Sequence, residues 1–421
     1  MTKSPKKFLE QSQSPSLPEG WHTVRYGDVA KKIRNIVDRR NCDLDRFVAG
    51  EHMRTDDFRI EEWGTIEDGY LGPAFDHKFT KGQILYGSRR TYLRKVSIPQ
   101  FDGVCANTTF VIEPTGDDLV PELLPFVMQS AGFTDHSIRM SKGSTNPYIS
   151  WNDIACYEFA VPDNEQQRRI ATTLWAAEDC IVKGERFVAV AERAKQVLMR
   201  ELFSKGIGHK VFKETTAGRF PKEWKSASIK DIGDFKTGPF GTLLKADEYT
   251  GGDGTPLICM RDIRDGRLEI DAKTPRIPSS VVKRMPEYLL KCGDIVFGRK
   301  GNINRSAIVN DHQDGWFLGT DGIRIRPSKE FHPPFISYHF QRNEIQSHLL
   351  HQATGTTMAS LNQEILHRMY IPVPPLPEQR QIAAILTRSD ETIAAARANI
   401  MVAKALKMKM INEMLGPQNN G

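Results

Sequence analysis

Two segments of this chain repeat one another, VPDNEQQRRIA at 161–171 and VPPLPEQRQIA at 373–383. The copies stay in step through the pairs Val161/Val373, Pro162/Pro374, Gln167/Gln379, Ile170/Ile382 and Leu174/Leu386, an offset of 373 − 161 = 212 residues. A tandem duplication in a chain of 421 residues predicts two similar cores rather than one large one. Each copy runs from a mixed segment into a Pro- and Gln-bearing junction and then into a long stretch without proline.

Further pairs extend the repeat upstream. Pro-x-x-Trp openings occur at 18–21 and 221–224, VAGEHMRTDDFRI at 48–60 aligns with ICMRDIRDGRLEI at 258–270, KGQILYGSRR at 81–90 with CGDIVFGRKG at 292–301, and GSTNPYIS at 143–150 with GTTMASLN at 355–362. The offset grows where the second copy carries the Gly-rich stretch KTGPFGTLLKADEYTGGDG, which suits an exposed loop. Short apolar runs at 83–86, 109–112, 294–297 and 323–325, bounded by Gly, Pro or Asp, predict strands, and 123–132 and 335–350 predict helix. Each module is therefore expected to be α+β.

The junctions open two predicted rods. Asp163 can cap the first, with Gln166 in the capping-box position, and Pro377 suits the first turn of the second. Apolar residues recur at spacings of four and three through Ile170, Leu174, Ala177, Ile181, Val188, Ala191, Leu198 and Leu202, and through Ile382, Leu386, Ile393, Ala396, Ile400, Ala403, Met410 and Met414. That is a coiled-coil seam of about 40 residues, roughly 60 Å at 1.5 Å per residue. Gly206 and Gly208 end the first rod, and Gly416-Pro417 the second. Lys195 and Lys407 fall on the seams at equivalent positions, which calls for a local polar partner or a partner surface.

Composition narrows the class. Apolar residues at 39% and charged residues at 26% fit a soluble chain with real cores. The polar first sixteen residues lack a secretory signal and read as a disordered tail of a cytoplasmic protein. Six scattered cysteines without a CxxC pair argue against disulfides and structural zinc. No GxGxxG, phosphate loop or HExxH is present, and Asn146-Pro147-Tyr148 is read as a loop.

What remains is basic and amide-bearing loops at equivalent points. In the first copy these are Arg54, Ser88, Arg89, Arg90, Tyr92, Arg94 and Lys142, with Arg59 and Lys95 nearby. In the second they are Arg261, Arg264, Arg299, Lys300, Asn302, Asn304 and Arg305, with Arg267. Arg and Asn can read base edges bidentately, and Lys and Arg neutralise phosphates, so these residues are the candidate DNA contacts. The net charge of +6 is compatible with such a partner.

The EQ-R-x-IA junctions, Gly-Thr-Thr loops, Pro-x-x-Trp openings and following rods together resemble the specificity subunit of type I restriction-modification systems, from about Leu17 to Leu415. The first junction departs from the pattern, reading Asp163-Asn164-Glu165 where the second has Pro375-Leu376-Pro377. The resemblance implies two target-recognition domains, 17–162 and 220–375, separated by two long antiparallel coiled-coil helices at 163–205 and 376–415, with a linker at 206–219 and a tail at 416–421. It implies that each domain reads one half of a bipartite asymmetric site in double-stranded DNA, while the helices set the spacer. It further implies no catalytic site on this chain, two methylation subunits as partners, restriction subunits reached through the complex, and S-adenosylmethionine, ATP and Mg2+ used only by those partners. A methylation-only or other phage-defence assembly, a DNA-modifying enzyme in its own right, and a coiled-coil scaffold without DNA affinity are the competing expectations.

Overall fold

The computed structural model describes residues 17–38, 43–66, 72–215, 218–241, 243–250, 252–353 and 360–415. They form two compact units, Met1–Glu185 with Ala398–Gly421, and Arg186–Arg397. The tails assigned to 1–16 and 416–421, and most of the second Gly-Thr loop, lie outside the described residues.

In the first unit an antiparallel sheet has the strand order Ala30–Ile33, Thr109–Pro114, Ile84–Gly87, Val96–Ser97. The apolar run at 84–86 is continuous because both faces of the central strand are covered. Ile84 and Tyr86 join Phe110, Ile112 and the helices Leu124–Gln129 and Ala131–Arg139 in one core, whereas Leu85 and Val111 meet Val48, Phe79 and Cys105 of a second sheet. Each such buried side chain contributes about 1.5–3 kcal/mol. In the second sheet Arg46–Val48 runs parallel to Gly103–Ala106, which also pairs with Phe75–Phe79.

The second unit repeats the plan. Its main sheet has the order Gly233–Thr237, Gly322–Pro327, Ile295–Gly298, Ser306–Ile308, Gly266–Arg267, and a parallel pair recurs between Thr255–Ile258 and Phe317–Leu318. Ile295 and Phe297 face one core and Val296 the other. One position breaks the apolar pattern, since Arg324 is only 3% exposed between Ile323 and Ile325. Its guanidinium donates to the Asp234 carboxylate, and burial holds its pKa below the ordinary arginine value.

Two expected helical stretches are each broken. Ser130 takes extended backbone and its Oγ accepts from Phe133 N at 3.3 Å, so one helix stops and a new, capped one starts. The second stretch divides into Pro333–Phe340 and Asn343–Ala353. The expected linker also has structure, because Phe212–Thr215 pairs antiparallel with Gly218–Pro221.

The rods are two helices, Asn164–Lys205 and Leu376–Leu415. Asp163 Oδ1 accepts from Gln166 N at 2.9 Å, as a cap should. The junction glutamines do more than helix formation requires. Gln167 Oε1 accepts from Val120 N at 2.8 Å while its Nε2 donates to the carbonyls of Asp118 and Pro162 at 3.0 and 2.9 Å. Gln379 makes the same three bonds to His332 N, Glu330 O and Pro374 O at 2.8, 3.2 and 3.0 Å. Both side chains are essentially inaccessible, so each clamp satisfies buried main-chain groups that would otherwise cost about 1–3 kcal/mol apiece.

The seam lysines find partners. In the first unit Lys407 Nζ lies 2.7 Å from Glu178 Oε2, with side-chain exposures of 2% and 8%. In the second Lys195 Nζ lies 2.6 Å from Asp390 Oδ1, which is 43% exposed. Lys195 corresponds to Lys407 and Glu178 to Asp390 by the repeat offset, so one ion pair occurs twice with its charges exchanged between helices. Within each unit the helix segments run in opposite chain directions, with Glu178 beside Lys407 and Glu185 beside Lys404 in the first, and Glu192 beside Arg397 and Lys195 beside Asp390 in the second.

The first helix ends at Gly206, whose φ of 63° is left-handed. A Cβ there would stand 2.6 Å from Trp224 Cζ2 and 2.7 Å from Glu378 Oε1. Glu378 in turn accepts from Ile207 N and Trp224 Nε1, both at 3.0 Å. Gly206→Ala is expected to destabilise the second unit by about 1–3 kcal/mol through backbone strain and this crowding. Thermal unfolding measures it, and an unchanged midpoint would show that neither acts.

Candidate nucleic-acid interface

In both units the turn after the central strand is tied to the segment just before a short helix, Trp151–Ala155 in the first and Gln363–His367 in the second. Ser88 N and Oγ donate to Thr108 O at 3.0 and 2.6 Å, and Ser88 O accepts from Ile149 N at 2.9 Å. In the second unit Arg299 N donates to Asp321 O and Arg299 O accepts from Leu361 N, both at 2.8 Å. Bridges between Arg89 and Tyr148 and between Lys300 and Ser360 complete the match. The repeat therefore sets a basic turn beside equivalent segments twice, 148–149 in the first unit and 360–361 in the second.

The structure brings Ser88, Arg89, Arg90 and Lys142 together around 146–148. Arg90 adopts φ 51°, its Nε donating to Asn146 Oδ1 at 3.2 Å and its N to Pro147 O at 2.7 Å. Lys142 exchanges main-chain bonds with Tyr148, and its Nζ lies 3.0 Å from Asp153 Oδ2. Hydrogen bonds from Ser150 and then from Lys142 hold Asp153 below the usual carboxylate range. Tyr92 projects from the neighbouring turn Thr91–Leu93 and is about half exposed.

Other candidates are engaged within the chain. The Ser88 hydroxyl is buried against Thr108 and faces its own backbone. Arg94, at φ 44°, grips the Asp56 carboxylate through Nε at 2.8 Å and through Nη2, and these bonds raise its pKa. Arg54 lies 2.5 Å from Glu61 and 3.5 Å from Glu62, away from the loop at 146–148 in its bonding. Arg59 binds Asp57 and Glu185. Lys95 donates to Gly50 O at 2.5 Å, and burial followed by Arg90 lowers its pKa.

In the second unit Met260 packs against Gly298 and Gly301, which sets the turn Met260–Asp262, and with it Arg261, beside the 298–302 loop. Arg261 lies 3.3 Å from Asp271, and Arg264 lies 3.3 Å and Arg267 2.6 Å from Glu269. Lys300 lies 3.2 Å from Asp321. Asn302 is exposed, Asn304 and Arg305 are half-buried, and Arg299 Nε is buried with no hydrogen-bond partner among the described residues.

Sequence reasoning missed a cleft of about 320 Å³ in the first unit, lined by Lys32, Arg89, Asn107, Tyr148 and Trp151 among others. Lys32 Nζ sits 4.3 Å from the Phe110 ring centroid, and burial followed by Arg34 lowers its pKa. The signal for Tyr148 was its place just past the Gly-Ser-Thr loop, opposite Ser360 in the repeat. Among the described residues no group of three His, Cys, Asp or Glu side chains is placed to hold a metal ion, and no helix is long and apolar enough to cross a membrane.

Comparison with known proteins supplies the context for this arrangement. Residues 221–401 match the type I restriction modification DNA specificity domain. The chain is 24% identical to the type I restriction enzyme MjaVIII specificity subunit of Methanocaldococcus jannaschii, across 95% of this chain and 93% of that one. A solved structure concerned with complex assembly and conformational transition of the type I R-M system shares the fold at a TM-score of 0.59 and 22% identity, over 95% of this chain and 98% of that one. A type I S subunit from M. genitalium does so at 0.53 and 12%, over 96% and 97%. The doubled modules and these relatives agree: residues 221–401 match the type I restriction modification DNA specificity domain, and over nearly its whole length the chain is similar to type I restriction enzyme specificity subunits.

Proposed function

We propose that each module reads one half of a split, asymmetric site in double-stranded DNA, that the antiparallel helices separating the two target-recognition domains fix the gap between the halves, and that chemistry is left to partner subunits. The single observation that carries this reading is the basic turn held in the same way twice, by Ser88 with Ile149 and by Arg299 with Leu361. A common scaffold with different side chains on it suits two different half-sites. Glu51 and Asp57 of the first copy align with Arg261 and Arg267 of the second, and Thr108 with Asp321.

The helices carry apolar surface with no use inside the units. Phe187, Val190 and Val197 are 50%, 63% and 56% exposed on the first helix, and Met401, Val402 and Leu406 are 72%, 66% and 54% exposed on the second. Such stripes at helical spacing suit docking of two methylation subunits, one on each, with restriction subunits recruited through them. S-adenosylmethionine, ATP and Mg2+ then belong to those partners in a cytoplasmic complex.

Mapping methylated adenines in the genome of cells expressing the complex tests the whole reading. Two short sequence blocks at a constant gap are expected. A single contiguous site, or methylation independent of this chain, would overturn it.

A further inference from the structure

Three features meet in the cleft of the first module. Tyr148 is 49% exposed although its backbone is held on both sides, by Lys142 N and O at 2.8 and 2.9 Å and by the bridge to Arg89. A ring whose main chain is fixed and whose face is left to solvent adds little to the core, and a large apolar surface beside cations is a common contact for nucleobases. Arg89 has no ion-pair partner among the described residues, unlike Arg54, Arg94 and Lys142, each of which has a carboxylate. The exposed Asn107 carboxamide, which lines the same cleft, has no hydrogen-bond partner among the described residues either.

The second module lacks this set. Ser360 stands where Tyr148 does, and Lys300, opposite Arg89, is held 3.2 Å from Asp321. The two turns thus share a backbone frame and differ in the side chains set on it.

We propose that Tyr148 is a base-contacting residue of the first module, its ring packing on the apolar edge of a base while Arg89 and Asn107 supply donors beside it, and that the second module makes no equivalent contact. Apolar contact with a base edge, such as a thymine methyl, flanked by Arg or Asn donors, is a combination that discriminates between base pairs in the major groove. The inference rests on the reading of the modules as half-site readers.

Selection from a randomised duplex DNA library by the full chain in its assembled complex tests it. Wild type is expected to return two sequence blocks. Tyr148→Ala should lose base preference at one or two positions of one block and bind the wild-type duplex about 10-fold more weakly. The other block, unchanged, reports that the complex is intact. Tyr148→Phe should retain both blocks, and so should Ser360→Ala. Unchanged blocks with Tyr148→Ala, or equal weakening on every duplex, would overturn the assignment. A wild-type complex that returns no block would overturn the half-site reading itself, and this inference with it.

Discussion

Lys407→Ala is expected to lower the stability of the first unit by about 3–5 kcal/mol, because it leaves the mostly buried Glu178 carboxylate without its ammonium partner. Glu178 and Lys407 are 8% and 2% exposed, and the other cations of that cavity are engaged elsewhere, Lys404 at 2.6 Å from Glu185 and Arg59 with Asp57 and Glu185. Asp56 and Asp57 line the same cavity, each already paired with an arginine, and offer Glu178 no replacement cation. The equivalent change Lys195→Ala should cost no more than about 1 kcal/mol, since Asp390 is 43% exposed and keeps a hydrogen bond from Tyr338 at 2.8 Å. Replacing both members of the buried pair by leucine should be nearly neutral or stabilising, because desolvation of the charges is then avoided. Denaturant unfolding of the three variants gives the ranking. Equal losses for Lys407→Ala and Lys195→Ala would mean that burial does not set the strength of the pair.

Deletion of one heptad from each long helix, residues 184–190 and 396–402, should change the gap between half-sites while leaving both half-sites as they are. Seven residues shorten a helix by about 10 Å and turn it by nearly two full turns, so seam positions keep facing the same way. The two ion pairs, at 178/407 and 195/390, lie outside the deleted segments and survive. At 3.4 Å per base-pair step, the preferred gap should shift by up to about three base pairs. Binding to the original site should fall toward the nonspecific level, a loss of about 10³-fold or more, and return on a duplex with the adjusted gap. Methylation mapping reads both at once. A change in the half-sites themselves would place base reading on the helices and overturn the proposed division of labour.

Much of this architecture was legible because two periodicities and a repeat coincide in the sequence. An apolar stripe at spacings of four and three, bracketed by Asp163 and Gly206, leaves few alternatives to a long helix, and helices run over Asn164–Lys205 and Leu376–Leu415. The strands at 84–87 and 295–298 were equally plain. Arg324 was hidden by its apolar neighbours, and only the folded sheet shows that Asp234 makes its burial tolerable. The break at Ser130 was invisible for a related reason: apolar residues flank it, and the decision is made by a hydroxyl that caps the next turn. Within the candidate interface, sequence spacing found the basic turns and could not separate cations with carboxylate partners from those without. Arg94 and Arg89 look alike in the chain, yet one is bound to Asp56 and the other is not.

The glutamine clamps have a consequence for how such chains diversify. Gln167 and Gln379 hold only main-chain atoms of 118, 120 and 162 and of 330, 332 and 374, so the side chains at those positions can be rewritten without touching the joint. The joint itself inspects backbone contour alone, so a rewritten module can still engage it, provided that it also supplies apolar rings such as Phe58 and Phe126 to cover Trp175 on the helix.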